Sequence, residues 1–145
     1  MSAGGDRGLD RLIDSLPQRP PFLFVDHVVE HRPMERVAGT VRFPPGHRVF
    51  ENHLPGEPLV PGVILIEALA QIAGLALVGR DGEAVRGYLA EVAHARFYRL
   101  IHPGDELRLE AVLDRAFGDY ARFDVVASVG DEVAVRGRLT VARKR

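Results

Sequence analysis

Apolar residues recur along this chain in two rhythms, and the change from one to the other organises it. Near the start, Leu9, Leu12, Ile13 and Leu16 follow the i, i+3, i+4, i+7 spacing of a short amphipathic helix, which Pro17 would stop. A longer helical run opens at Pro61, whose preset φ and missing amide hydrogen suit a first turn, and nothing breaks it before Gly79. Its apolar residues, Val63, Ile64, Leu65, Ile66, Leu69, Ile72, Leu75 and Leu77, lie all round the axis. That pattern predicts a helix buried on every side.

Elsewhere the period is two. Leu107, Leu109, Ala111 and Leu113 point one way, as do Phe123, Val125, Ala127 and Val129, and then Val133, Val135, Leu139 and Val141. Strands are expected over 22–31, 36–43, 85–97, 107–115, 120–129 and 132–141, separated by turns at Pro33, at 79–83, at 103–105 and at 130–131. No repeat or linker divides the chain. These elements predict one α+β domain over residues 1–145, with 1–8 a flexible tail: a strongly curved antiparallel sheet with the apolar helix across its concave face. A sheet alone covers such a helix only in part, so a second copy is expected to complete the cover and the protein is expected to be a dimer.

Composition narrows the function by exclusion. A formal net charge of -1 gives no bulk attraction to nucleic acid or anionic membrane. The absence of cysteine removes disulfides, zinc thiolate sites and thiol catalysis. The sequence MSAGGDRGLD lacks the apolar stretch of a secretory signal, which makes a cytoplasmic location the expectation. The long apolar run falls short of the roughly 20 residues of a bilayer span and carries Glu67 near its middle, so a core helix is the better reading.

Glu67 is the residue that points to chemistry. It and Gln71 are the polar side chains of the run, and four residues apart they share one helix face. An ionised carboxylate is costly to bury alone, so this one needs either a partner or its proton, and either condition suits proton transfer. His27 and His31 are also four apart, but on a strand that spacing shares a side without building a metal site, and no carboxylate is placed to complete one. Upstream of the helix, His53 opens a loop in which Pro55, Pro58 and Pro61 limit the chain's freedom and would hold the imidazole in place.

Four blocks carry a resemblance to a known family: LPQRPPFLFVD from Leu16, HLPGEPLVPGVILIEALAQIAG from His53, ARFYRLIHPGDEL from Ala95, and the strand-rich C-terminal part. Together they span nearly the whole chain, and it resembles the FabZ-type (3R)-hydroxyacyl-[acyl-carrier-protein] dehydratases, which have the hot-dog fold. The second block is the specific one, because a histidine, spaced prolines, PGV and an ExxxQ helix seldom coincide. The resemblance implies reversible elimination of water from a 3-hydroxyacyl thioester borne on an acyl carrier protein, with no metal or organic cofactor. It makes His53 the base at C2 and Glu67 the acid for the departing C3 hydroxyl, and it assigns Gly62, Val63 and Gln71 to substrate binding, Gly62 through its amide to the thioester carbonyl. It also puts the site at a homodimer interface, His53 of one subunit facing Glu67 of the other.

The residue types suit those roles, since imidazole titrates near neutrality and an amide at a helix N-terminus can stabilise an oxyanion without a side chain. His47, His94 and His102 have no comparable setting and are read as structural or solvent-facing, and Asp105 as a turn residue. Arg96, Arg99 and Arg138 are candidates to meet an acidic carrier protein.

The sequence also departs from the family. Gln18 stands at the histidine of LPHR, Leu54 at the phenylalanine of GHFPG, Asn52 at the preceding glycine, and Glu91 and Ala93 at a usual Gly and Asp. The expected consequence is altered packing, loop position or chain-length preference. The rival readings are a hot-dog acyl thioesterase, which would use the helix carboxylate to activate water, and a non-catalytic dehydratase-like partner that binds acyl chains or builds a complex.

Overall fold

The computed structural model describes residues 7–51, 56–79 and 86–144. His53, with Asn52, Leu54 and Pro55, lies outside them, as do the first six residues of the expected tail and most of the expected turn after the long helix.

The chain starts with a single helical turn, α1 (Arg7–Asp10), continued by a 3-10 turn over Arg11–Ser15. Two strands follow, β1 (His27–Arg32) and β2 (Arg36–Arg42), and a 3-10 turn at Arg48–Phe50 leads towards the long helix α2 (Gly62–Leu75). The last four elements are the strands β3 (Arg86–Phe97), β4 (Glu106–Phe117), β5 (Tyr120–Val129) and β6 (Glu132–Lys144). All six strands make one antiparallel sheet in the order β1-β2-β4-β5-β6-β3.

The register slips at five places, within β1, twice in β3, within β4, and between β5 and β6. Each slip is a bulge or irregularity that bends its strand, and together they let the sheet curl around α2, which touches β2, β3, β4, β5 and β6. The expected inward positions Leu107, Leu109, Ala111, Phe123, Val125, Ala127, Val135, Leu139 and Val141 are buried, and so are Leu65, Leu69, Ile72 and Leu75 of the helix. Each large apolar side chain taken out of water in this way contributes about 1.5–3 kcal/mol. Helix and sheet approach closely at Gly39, in the middle of β2, where an added Cβ would stand 2.8 Å from Cδ1 of Ile72 and 2.5 Å from the His27 carbonyl oxygen.

Three expectations are corrected in detail. The helix ends at Leu75 rather than near Gly79: the carbonyls of Ala73, Gly74 and Leu75 accept from the amides of Ala76, Leu77 and Val78, three residues on, His31 Nε2 also donates to Leu75 O at 3.0 Å, and the next carbonyl, Ala76 O, accepts from the Met34 amide at 2.8 Å. The first strand begins at His27, and residues 22–24 spend their backbone groups elsewhere, as described below. The helix is not buried on every side. Val63 is 76% exposed, and Ile66, Glu67, Ala70 and Gly74 continue a half-buried stripe along the same face.

Candidate active site

That stripe is where the candidate residues lie. The segment leading into α2 is fixed by Val60, whose amide donates to Ile101 O at 2.9 Å, and Pro61 then caps the helix in an extended conformation with no side chain bonded over its end. Ile64 and Leu65 direct their amides at Pro61 O, the first turn holds no acidic residue, and the positive end of the helix dipole is left without a compensating charge of its own. Gly62 is the first residue inside that end. A Cβ there would meet the Phe97 ring at 2.9 Å, so only glycine lets this half-exposed aromatic from the end of β3 lie over the helix start.

Gln71 is 2% exposed and makes three hydrogen bonds. The Phe24 amide donates to its Oε1 at 2.8 Å, while its Nε2 donates to Phe22 O at 3.0 Å and to Glu67 Oε2 at 2.8 Å. Residues 22–24 therefore pair with a side chain of α2 instead of a neighbouring strand. Glu67, half-buried on the open stripe, accepts from Gln71 through Oε2 and lines a cavity of ≈ 60 Å³. Its lining includes the polar Ser15, Gln18, Glu67 and Gln71 and the apolar Leu16, Val78, Leu89 and Val141.

The structure thus brings Glu67 and Gln71 together, and it sets Gly62 and Val63 at the start of the same helix. It does not describe His53, the expected base. The remaining histidines have other work or face solvent. His27 Nδ1 meets Asp10 Oδ2 at 2.9 Å, His47 Nδ1 accepts from the Val49 amide and its ring packs edge-on against Phe43, and the exposed His94 sits at φ 56° in a bulge of β3. Asp105 closes its turn by accepting from the His102 amide at 2.9 Å. Arg99 pairs with Asp105 and Glu132, and Arg138 with Asp124 and Asp114.

Two residues near the site were not singled out for it from the sequence. Phe97 appeared there only within the ARF block, and Gln18 only as a departure from LPHR. Neither carried a signal, because each reaches the helix from a distant part of the chain.

The comparisons agree with this architecture. Residues 16–138 match the family model described as a FabA-like domain. The chain is 38% identical over 128 residues to the 3-hydroxyacyl-[acyl-carrier-protein] dehydratase FabZ of Bacillus pumilus, covering 88% of this chain and 89% of that protein. It is 39% identical over 135 residues to the FabZ of Paracidovorax citrulli, covering 90% and 92%. Among solved structures, a chain of the dehydratase heterocomplex ApeI:P from Xenorhabdus doucetiae superposes with a TM-score of 0.78 at 21% identity, covering 92% of this chain and 91% of that one. A hypothetical thioesterase from Streptococcus pneumoniae, solved with coenzyme A, superposes at 0.63 with 12% identity, covering 81% and 84%. At those identities the two structures speak for the fold alone. The family assignment rests on the model match and the FabZ sequences: this chain is a member of the FabA-like family and has its hot-dog fold.

Proposed function

We propose that this chain removes water reversibly from a (3R)-hydroxyacyl thioester carried on an acyl carrier protein, giving the trans-2-enoyl product in fatty-acid or related acyl-chain biosynthesis. One observation carries the reading: a carboxyl fixed by Gln71 opens onto the uncovered stripe of a helix whose uncapped N-terminus, five residues earlier, begins at Gly62. An acyl thioester laid along that stripe would place its carbonyl oxygen at the Gly62 amide, where charge develops as the C2 proton leaves. Val63 would flank it.

His53 takes the C2 proton, the electrons of that bond form the C2–C3 double bond, and the C3–O bond breaks as Glu67 gives its proton to the leaving oxygen. Gln71 donates to Oε2, and the carbonyl oxygen of a carboxyl is its better acceptor, so this bond favours the transferred proton on Oε1. None of these steps calls for a metal or an organic cofactor. The names of the FabZ relatives support the substrate class.

The uncovered surface supports a homodimer. β3 stands at the edge of the sheet, is 12 residues long, and exposes Tyr88, Leu89, Val92 and Phe97, close in sequence to exposed Tyr98 and Leu100. A long apolar edge strand is a template for pairing, and a second copy joined there would also cover the open stripe of α2 and bring its own His53 towards Glu67.

The test is to incubate the protein with an enoyl thioester while following the conjugated absorbance and free thiol together. Loss of conjugation without thiol release is expected. Thiol release would make it a thioesterase, and no change in either would favour the non-catalytic partner. Glu67→Gln keeps an acceptor for Gln71 and should fold, but should lose about 10²- to 10⁴-fold in rate; His53→Ala should lose at least as much.

A further inference from the structure

A glycine usually shows its reason in its surroundings. At Gly39 and Gly62 that reason is room, since an added Cβ would stand 2.5 Å and 2.9 Å from its nearest neighbour. Gly74, the last residue but one of α2, shows no such reason. Its backbone is helical and its φ is not positive, so any residue could adopt it. Beyond the helix's own backbone, a Cβ there would meet one described atom, Leu16 Cδ2, at an ordinary 3.9 Å. Apart from proline, glycine is also the residue least favourable to a helix. What the missing side chain leaves is space. Gly74 borders the cavity that Glu67 also borders, and with Ala70 it continues the Glu67 face at spacings of three and four. Of the polar side chains around that space, Ser15 is bonded to Leu12 O, and Gln71 to Phe22, Phe24 and Glu67. Leu16, Val78, Leu89 and Val141 give it apolar surface.

We propose that Gly74 sets the length of acyl chain this protein accepts: the tail runs from Glu67 along α2 into the cavity, and its far carbons take the room that a side chain at 74 would fill. The inference rests on the dehydratase reading above, which puts C3 at Glu67. At about 1.5 Å of rise per residue, Gly74 lies about 10 Å beyond Glu67, the reach of about eight further carbons in an extended chain. A four-carbon chain therefore ends far short of Gly74, and one of about twelve carbons reaches it. The space of ≈ 60 Å³ is well under the about 150 Å³ that receives a benzene ring, so it holds about two or three methylenes. A side chain at 74 would return those methylenes to water, and each one returned weakens binding about fourfold.

The test is a chain-length profile of the full-length protein. Wild type, Gly74→Ala and Gly74→Leu are compared on butenoyl and dodecenoyl chains borne on the same acyl carrier protein, with melting temperature and solution mass measured alongside. Gly74→Leu should lower the ratio of kcat/KM for dodecenoyl over butenoyl by about tenfold or more, and Gly74→Ala should lower it less. Gly74→Ala should also melt about 3 °C higher than wild type, because the helix gains and nothing is crowded. Specificity lost while stability rises separates this role from a structural one.

An unchanged ratio would overturn the proposal, and an altered solution mass beside it would give the glycine to packing against a second copy. A lower melting temperature in Gly74→Ala would overturn it too, by giving the glycine to packing within the chain. If Gly74→Leu does not fold, Gly74→Ala reads out the same ratio. Should wild-type protein hydrate neither chain, the dehydratase reading fails, and calorimetric binding of the saturated dodecanoyl and butanoyl carrier proteins decides for Gly74 alone. A preference for dodecanoyl that Gly74→Leu abolishes would support the proposal, and no such preference, or one that survives the substitution, would overturn it.

Discussion

Gln71 donates a hydrogen bond of 2.8 Å to Glu67 one helical turn before it, and the direction of that bond is forced. The Phe24 amide can only donate, so Gln71 Oε1 must accept from it and Nε2 must face Glu67 and Phe22 O. One buried side chain thus ties the lead-in to β1 onto α2 and sets which carboxyl oxygen of Glu67 remains available.

Replacing Gln71 by Leu should therefore cost stability as well as activity. The Phe24 amide, on a residue 1% exposed, would be left without an acceptor, which costs about 1–3 kcal/mol. Denaturant unfolding should show that loss, and enoyl hydration should fall further than stability accounts for, because Glu67 loses its anchor. A variant that unfolds at the wild-type denaturant concentration would show that the bond does not hold the segment.

At the helix start, Gly62→Ala sets two effects against each other. Alanine favours the helix by up to about 1 kcal/mol over glycine, but its Cβ would lie 2.9 Å from the Phe97 ring. Overpacking of this kind typically costs about 1–3 kcal/mol, with a half-exposed ring at the low end because it can swing outward. We expect a small net destabilisation in the wild-type background and a neutral or stabilising effect once Phe97 is alanine. A double-mutant cycle measures this directly, and additive single effects would mean that the two residues do not meet in solution.

The parts of the fold that local pattern could show are those whose bonding is local. The strands β4, β5 and β6 alternate because one face is buried, and Glu67 and Gln71 pair because four residues make a helical turn. What stayed hidden depends on distant partners. The helix tightens into i+3 bonds after Leu75, where His31 and Met34 bond the carbonyls of Leu75 and Ala76, and no residue between 75 and 79 announces it. Phe22 to Asp26 carries a strand-like pattern, yet the backbone at 22 and 24 bonds to a side chain 47 to 49 residues away. Gln18 could be noticed as a departure from a motif, but its place in the lining of the cavity that Glu67 also borders is a product of tertiary packing.

The N-terminal turn should make the fold sensitive to acid. Burial raises the pKa of Asp10, but the bond to His27, the Val28 amide at 2.8 Å and the His27 charge outweigh it, and the carboxyl lies below its ordinary value of 3.8. A carboxyl depressed by folding contributes stability above its unfolded pKa and loses that contribution as pH falls through its folded value. Stability should thus decline below about pH 4, and Asp10→Asn should be less stable at neutral pH but show a shallower acid slope. Urea midpoints between neutral pH and the acid limb measure both, and an unchanged slope would assign the acid sensitivity to other carboxylates such as Glu30, which the Arg36 bond also holds below its ordinary value.

The outer surface offers a separate test of the carrier. Arg96 on β3 and Arg136 on β6 stand directly opposite each other and are exposed. Like charges across strands cost stability, whereas the neighbouring Arg138 and Arg99 are paired with acids. A surface that keeps such a pair suits an acidic partner. Arg96→Glu should stabilise the isolated chain by a few tenths of a kcal/mol, about the worth of a cross-strand ion pair with Arg136. It should also raise KM for a carrier-bound enoyl substrate about tenfold while leaving KM for a short soluble thioester unchanged. Added salt should narrow that difference, since charges more than about 10 Å apart are screened at 0.1 M. Equal effects on both substrates would place Arg96 in the site rather than on a carrier surface, and no effect on either would leave the arginine pair without a part in docking.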